Sequence, residues 1–425
     1  MSRESTAGEL NLAEWIKPGD TVSWTYATGE PMTLTEKLVE ARQRIGRFNV
    51  FLGTMFSKTV RPEHADAMSF TGTGAVGFNR DFCKAGALGV IPTHLSEIPR
   101  LLERGLLKVD VMLVHLSQDE SGNFSFGIAN SFTRAMVRHA RVVIAEVNEA
   151  MPWTYCTDPI EPARIDVIVR SNRPLLEVPA RLPTDNDRAL ARQIVPLIPD
   201  GAVLQIGIGT LPNAVLAELR GHRDLGIHSG VIGDNVLADL IESGVVTNAT
   251  KPADRGISIV NALFGSKRLY DFAHHNPSLR VEAVEYTSDP ARLMQFNAFV
   301  AINSALEVDL TGQVNGESAG RQYLGTIGGQ TDFIRGAMAS RRGRSIVALP
   351  ATIEKSGVSR IVAQLGSGVT TTGRADADVV ATECGVAELR GRTIPQRVRA
   401  MIAIAHPDHR EALERAAHAQ IAGFR

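Results

Sequence analysis

Cysteine is scarce in this chain: Cys83, Cys156 and Cys384 are three in 425 residues, with no CxxC pair and no metal-like spacing. That excludes a disulfide framework, implies no metal site, and fits a reducing cytoplasm. Scattered cysteines of this kind are expected as core filler. An excess of charge of either sign is also missing. There are 45 Lys+Arg against 46 Asp+Glu, a formal net charge of −1. The broad electrostatic argument for nucleic acid or an anionic membrane therefore falls away, while a local basic pocket for a phosphorylated ligand stays open. No apolar run reaches the roughly eighteen residues of a transmembrane helix. The opening MSRESTAGELNLAEWIKPGD lacks the apolar core of a signal peptide, so a cytoplasmic location is expected. A full GxGxxG followed by a ribose-binding acid is absent too, which argues against a Rossmann oxidoreductase.

What is present is ordinary globular material, 44% hydrophobic, in a length that suggests about two to three domains. Apolar runs recur at wide intervals and most end in glycine or a polar turn. VDVMLVHLS (109–117), ARVVIAEVN (140–148), AVLQIGIG (202–209), GISIVNALFG (256–265), AFVAINSALEVDL (298–310), RSIVALP (344–350) and ADVVATECG (377–385) read as buried strands. Several are apolar on both faces, as parallel strands covered by helices must be. Helical periodicity lies at 33–45, 96–106, 211–222 and 234–244. Strand, turn, helix, strand predicts an α/β fold with right-handed crossovers. A proline-rich stretch, SNRPLLEVPARLPTDND, places the domain seam near 172–190, and the following helix starts with acids in its first turn. The expected domains are 1–180 and 181–425.

Four loops could carry chemistry. QIGIGTLPNAV runs from a strand through Gly207 and Gly209 into a helix with Pro212 in its first turn. Its backbone N–H groups could hold a phosphate or a developing oxyanion, or its glycines could be purely steric. TIGGQTDFIRG places Gly328 and Gly329 before Gln330, Asp332 and Arg335. That is backbone exposed to a ligand, or a tight turn with a solvated acid. In NSALEVDLTGQVNGES, Glu307 and Asp309 share one face of a strand, where they must be paired or hydrogen-bonded. They either serve a site or cap a loop. Finally, a strand ending in Glu146-Val-Asn148 could line an α/β crevice, or Asn148 could only shape the turn.

Taken together and in order, the stretches IPTHLSEIPRLL, VIAEVNEAMP, GIGTLPNAVLAEL, GIHSGVIGDNVLADLIESGVVTN, VEYTSDP, AINSALEVDLTGQVNGES, GTIGGQTDFIRGA, SRIVAQLGSGVTTTGRADADVVATECGVAELRG and IAHPDHR resemble the acetyl-CoA hydrolase/transferase family. That class includes 4-hydroxybutyrate and butyrate CoA-transferases. The matches span most of residues 90–410; the first ninety fit less well. The resemblance implies two similar open-sheet α/β domains facing each other across a cleft. It implies a homodimer and a CoA thioester as substrate rather than a bound cofactor, with a carboxylate or other small molecule as acceptor. In family transferases a glutamate attacks the acyl-CoA and passes CoA on through a glutamyl-CoA thioester.

The family's glutamate lies in a loop like H-S/T-E-M-x-S-D-G. Here His228, Ser229 and Asp234 align with it, but the glutamate's position is Gly230, and Asn235 stands for the final glycine. Glycine offers no nucleophile. Three readings remain. The pocket could bind acyl-CoA and use water or another acceptor directly, with His228 as base or as a structural residue. Another acid, Glu285, Glu307 or Glu317, could attack, although each matches an acid expected in ordinary family members. Or the chain could bind acyl-CoA without turnover. The expected site is His228, Ser229 and Gly230 at the reacting carbonyl. Gln205, Gly207, Gly209, Gly328, Gly329 and Gln330 are expected on the CoA, and Asp234 is expected to cap the next helix. TYATGEPM and FLGTMFSK could line the acyl pocket.

Overall fold

Strands that are apolar on both faces are stable only under helices on both sides, and two such sheets form here. The computed structural model describes residues 3–179, 181–233 and 235–421. Two compact units emerge. The first comprises Met1–Ala180, Gly230–Asn235 and Ile257–Thr287; the second comprises Arg181–Ser229, Val236–Gly256 and Ser288–Arg425.

In the first unit the strands are β1 (Arg3–Ser5), β2 (Thr21–Trp24), β3 (Phe48–Leu52), β4 (Met68–Gly72), β5 (Leu88–Val90), β6 (Val111–Gln118), β7 (Val142–Asn148) and β8 (Val167–Ser171). They lie in the order β1-β8-β7-β6-β2-β3-β4-β5, all pairs parallel, with the short strand Phe124–Ser125 added against β6. Every residue of β7 is buried, and all of β6 but its last. Helix α1 (Met32–Ile45) turns Leu34, Leu38, Ala41 and Ile45 inward at i, i+4, i+7 and i+11 and stops at Gly46, whose φ is 85°. Burying Leu34 and Leu38 completely is worth about 2 kcal/mol each.

In the second unit, β9 (Val203–Ile206), β10 (Gly226–Ile227), β11 (Phe299–Ser304), β12 (Arg344–Ala348), β13 (Val379–Thr382) and β14 (Gly385–Glu388) lie in the order β10-β9-β11-β12-β13-β14. Only the last pair is antiparallel. The unit opens with helix α2 (Asp185–Ile194), whose cap Thr184 accepts from the Asp187 N–H while Asp187 reaches back. Helices α3 (Thr210–Glu218) and α4 (Gln330–Ala339) follow β9 and precede β12.

Both units are thus open-sheet α/β, as expected. The single break between 180 and 181 is not how the chain divides: residues 230–235 and 257–287 belong to the first unit. The reason lies in strand pairing. Val231–Gly233 finds its parallel partner in Ala262–Phe264, and Ser258–Val260 finds its partner in Leu279–Val281. These pairings also split GISIVNALFG into two strands with different neighbours, with Asn261 between them. AFVAINSALEVDL is likewise split into Phe299–Ser304 and Glu307–Asp309.

Each sheet has one point where the chain reverses its direction of growth. In the first it lies between β2 and β6; in the second, between β9 and β11. Crevices outside the carboxyl ends of strands at such points are where open α/β sheets bind ligands.

Candidate active site

At the reversal point of the second unit, β9 and β11 carry Gln205 and Asn303 side by side. The Asn303 amide donates to Gln205 Oε1 at 3.0 Å and receives from Gln205 Nε2 at 3.4 Å. Gln205 is buried, so this exchange satisfies polar groups that burial would otherwise leave costly. Just beyond, Gly207 has no heavy atom within 4 Å of where a Cβ would stand, whereas Gly209 has φ +125°. Space does not require glycine at 207; backbone conformation does at 209. Gly209 is the N-cap of α3 and provides no side-chain cap, so the Thr210 and Leu211 amides get none from it, and Pro212 has no N–H to satisfy.

The second glycine loop repeats this design. Gly328 has φ +59°, Gly329 would place a Cβ 3.1 Å from the Phe333 ring, and Gln330 starts α4 behind an uncapped Gly329. Gln330 Oε1 lies 3.2 Å from a Cβ built on Gly316, and Thr331 shares a hydroxyl contact with Thr372 at 3.2 Å. Residues 315–318, 328–331 and 367–372 therefore form one loop cluster. Asn315 ties it together, donating to Glu307, to Ser367 and to the Ser318 carbonyl.

The stretch GIHSGVIGDN follows a different logic. The His228 N–H donates to the Leu204 carbonyl at 3.0 Å, and its fully buried ring packs 5.0 Å from Phe296. Ser229 Oγ donates to the Ile206 carbonyl at 2.9 Å and accepts from the Ile206 N–H at 3.3 Å. A side chain thereby extends the β9–β10 ladder by one residue after the backbone has left it. The hydroxyl proton is committed to main chain. Gly230, also buried, accepts from the Asn261 N–H at 2.7 Å through its carbonyl. Asp234 lies outside the described residues.

The first unit contains polar groups for which sequence reasoning named only the stretch. Tyr26 in TYATGEPM donates to Asn261 Oδ1 at 3.1 Å, and Thr28 donates to the Leu263 carbonyl at 2.9 Å. Glu30 is 1% exposed and receives hydroxyls from Thr35 at 2.8 Å and Ser57 at 2.7 Å. Burial pushes its carboxyl up to about 7, against the lowering effect of those two hydroxyls. On β6 beside it, buried His115 places Nδ1 3.2 Å from the Gly29 carbonyl, and burial pulls its imidazole below the ordinary value. No periodicity flags Glu30; the signal available was an acid inside an otherwise apolar turn.

With this geometry in view, comparison with known proteins is decisive. The acetyl-CoA hydrolase/transferase N-terminal domain matches residues 5–177 and the C-terminal domain of the same family matches 265–417. The chain belongs to the acetyl-CoA hydrolase/transferase family. It is 40% identical over 400 residues to the 4-hydroxybutyrate coenzyme A transferase of Clostridium kluyveri, covering 92% of each chain. It is 34% identical over 423 residues to the succinyl-CoA:cyclohexane-1-carboxylate CoA transferase of Geobacter metallireducens, covering 98% of this chain and 95% of that one. The crystal structure of RipA from Yersinia pestis superimposes with a TM-score of 0.92 at 33% identity, covering 98% and 97%. An enzyme of acyl-CoA transferase/hydrolase type, built on open α/β sheets, is therefore in hand.

The acids of this family member are tightly held. Glu317 is buried, receiving the Thr371 hydroxyl at 2.7 Å on one oxygen and the Tyr323 hydroxyl on the other. Glu307 receives Asn315 at 2.9 Å and the Gly366 N–H at 3.2 Å. Asp309 caps its own turn through Thr311 and Gln313, which is the loop-capping alternative. Asn148 likewise shapes its turn, accepting from the Ala150 N–H and donating to the Arg173 carbonyl. Glu146 receives Thr33 and Ser171 and holds the first turn of α1. Arg335 pairs with Asp376 at 3.0 Å. Burial raises the thiols of Cys83, Cys384 and Cys156, the last to about 12, away from thiolate chemistry. Among the described residues, no group of three or more His, Cys, Asp or Glu is placed to hold a metal ion, and no helix is long and apolar enough to cross a membrane.

Proposed function

We propose that this enzyme processes acyl-CoA thioesters without a glutamyl-CoA intermediate, by hydrolysis or by direct acyl transfer to a small acceptor. The observation that carries the reading is position 230. The loop is anchored on both sides, through Ser229 to Ile206 and through the Gly230 carbonyl to Asn261. A backbone held this firmly presents no side chain where the family's transferases present a carboxylate. In hydrolysis a water oxygen bonds to the acyl carbon, the C–S bond breaks, and the water's proton is taken up by the CoA sulfur. The products are a carboxylic acid and the free thiol.

In this reading His228, Ser229 and Gly230 border the reacting carbonyl, and Ser229 acts by holding the loop. Gln205, Gly207, Gly209, Gly328, Gly329 and Gln330 contact the CoA through backbone and amide groups. Backbone amides at the start of α3 stabilise the oxyanion, a contribution that survives loss of a nucleophile. Glu317 is a poor substitute for a glutamate nucleophile, because both of its oxygens are bound by fixed donors, and Glu307 has one oxygen bound by Asn315 and the Gly366 N–H. The acceptor is water or a small molecule, with the protein acting in the cytoplasm as a homodimer.

The test is to incubate the natural protein with short, branched and aromatic acyl-CoAs, with and without acetate, and to follow free CoA and new acyl-CoA by mass spectrometry. Free CoA without exchange supports the proposal. New acetyl-CoA formed from acetate together with a glutamyl-CoA adduct that borohydride traps sinks it, since a protein carboxylate must then have carried the CoA.

A further inference from the structure

Ile227 leads into His228, and it turns its own N–H and carbonyl to the outer side of an edge strand. On the inner side β10 pairs with β9 through Gly226 and His228, whose N–H groups donate to the Ala202 and Leu204 carbonyls at 2.8 and 3.0 Å. Ile227 lies between them, so its peptide groups point the other way. On that outer side Leu225 still has main-chain partners. Its N–H donates to the Val245 carbonyl, and its carbonyl accepts from Thr247 and Asn248. At Asn248 the chain turns away, with a φ of 55° in the left-handed region. Two side chains take its place. The Ile227 N–H donates to Asn248 Oδ1 at 2.8 Å, and the Ile227 carbonyl accepts from Lys251 Nζ at 3.1 Å.

Lys251 is 0% exposed. A lysine that blunts a sheet edge ordinarily keeps its ammonium in water, because burying that group is costly. This one is fitted into the interior. A Cβ on Gly226 would stand 3.3 Å from Lys251 Cγ and 3.4 Å from its Cδ, so glycine at 226 lets the stem lie across β10. The turn that delivers the stem is itself fastened. The Lys251 N–H donates to the Asn248 carbonyl at 3.3 Å, and the Thr250 hydroxyl donates to the Gly201 carbonyl at 2.8 Å. A buried ammonium and a left-handed asparagine thus meet at one peptide group, and costly features of this kind gather at functional sites.

The ammonium acts on that whole peptide. The carbonyl it binds belongs to the peptide group whose N–H, on His228, donates to Leu204. A donor at one end polarises the group and strengthens the bond at the other. Lys251 and Leu204 therefore clamp the 227–228 peptide from opposite sides, and the Ser229 hydroxyl clamps the next residue onto Ile206.

Resting on the reading that the thioester reacts beside Gly230, we propose that Lys251 is a positioning residue of the reaction: its ammonium fixes the 227–228 peptide and so holds His228 and Gly230 at the reacting carbonyl. Lys251 does not touch substrate. Such a loop tolerates little slack, since a misplacement of about 1 Å costs on the order of a hundredfold in rate.

The experiment follows release of free CoA from short, branched and aromatic acyl-CoAs, and takes kcat and KM on the one that the natural protein cleaves fastest. Calorimetry with free CoA gives affinity and the number of competent sites, and rates are expressed per site. Lys251→Met keeps the apolar stem and removes the donor. It should lower kcat at least about tenfold and leave KM and CoA affinity unchanged, the signature of an effect felt only in the transition state. Lys251→Gln, which keeps a shorter neutral donor, reads the same split if the methionine variant does not fold. A purely structural lysine would lower the melting temperature with kcat per site unchanged, and that result overturns the positioning role, as does a loss confined to KM or CoA affinity. Gly230→Val checks the reading underneath by placing a branched side chain where the thioester reacts, and it should abolish turnover. An inactive Gly230→Val beside a Lys251→Met of natural kcat overturns only the positioning role. A fully active Gly230→Val, or no turnover of any acyl-CoA by the natural protein, overturns both.

Discussion

Glu30 offers the sharpest physical test of the first unit. Its carboxyl titrates near 7 in the fold against 4.5 when unperturbed, because burial disfavours the anion. The native state therefore holds the proton more tightly than the unfolded chain does. Below about pH 4.5 both states are protonated and the residue costs nothing. As pH rises from there toward 7, the unfolded chain releases its proton first, so stability falls. The slope is about 1.4 kcal/mol per pH unit, and the gap of about 2.5 pH units makes a total of about 3 kcal/mol. A glutamine side chain in its place has no charge to suppress, and its amide can still meet the Ser57 and Thr35 hydroxyls. The expectation is that Glu30→Gln equals the natural protein below about pH 4 and is more stable than it near pH 8, by up to about 3 kcal/mol. Urea midpoints across that range give the difference. A difference infrared spectrum should show a protonated-carboxyl stretch near neutral pH that the variant lacks. A stability difference that stays flat between pH 5 and 8 would refute the argument, as would a variant that is less stable at the alkaline end.

Further expectations concern the second unit and its loop. Gly230→Glu should create or raise CoA transfer to acetate, with a glutamyl-CoA adduct that borohydride traps; a folded variant giving no adduct with any acyl-CoA would count against a preserved transferase pocket. Ser229→Ala strips the Ile206 N–H and carbonyl of a buried partner, which should cost about 1–3 kcal/mol and lower turnover; an unchanged melting temperature would contradict the ladder role. Gly207→Ala and Gly209→Ala make a discriminating pair. The first meets no steric or dihedral obstacle and should leave the melting temperature unchanged while weakening CoA binding. The second forces a side chain to φ +125° and should cost about 1 kcal/mol or more. Calorimetry with CoA and thermal melts read both.

Much of the fold was written in patterns of short range. Runs such as VMLVHLSQ and VVIAEVN are apolar on both faces until their carboxyl ends, which pointed to parallel strands under helices, and they form them. Helix α1 was legible from its spacing of leucines, and α2 from Thr184 and the acids after it. The glycine loops at 207–209 and 328–329 could be located at strand-to-helix and loop-to-helix turns for the same reason. Where reading ran out, long-range pairing decided. GISIVNALFG is one apolar run, yet its halves pair with strands from different parts of the chain, and nothing within the run says so. The division of the chain at 229/230 and 256/257 is invisible for that reason as well.

By itself, then, the sequence determined the fold class, the family and the absence of a side chain at residue 230, because these depend on residue types and on periodicities within a few turns of chain. Only the tertiary structure decided what the neighbouring groups are for. Ser229 reads only as a residue at the reacting carbonyl until Ile206 is found on both sides of its hydroxyl. Glu30 passes unmarked within TYATGEPM until Thr35 and Ser57 are found closing over it. Tyr26, Phe56 and Phe264 lie apart in the chain and become ring neighbours, 6.0 Å and 5.2 Å from Phe264, only in the packed fold. Hydrogen-bond occupancy and burial are properties of the packed chain, and they govern whether an acid, a hydroxyl or a ring is available to a substrate.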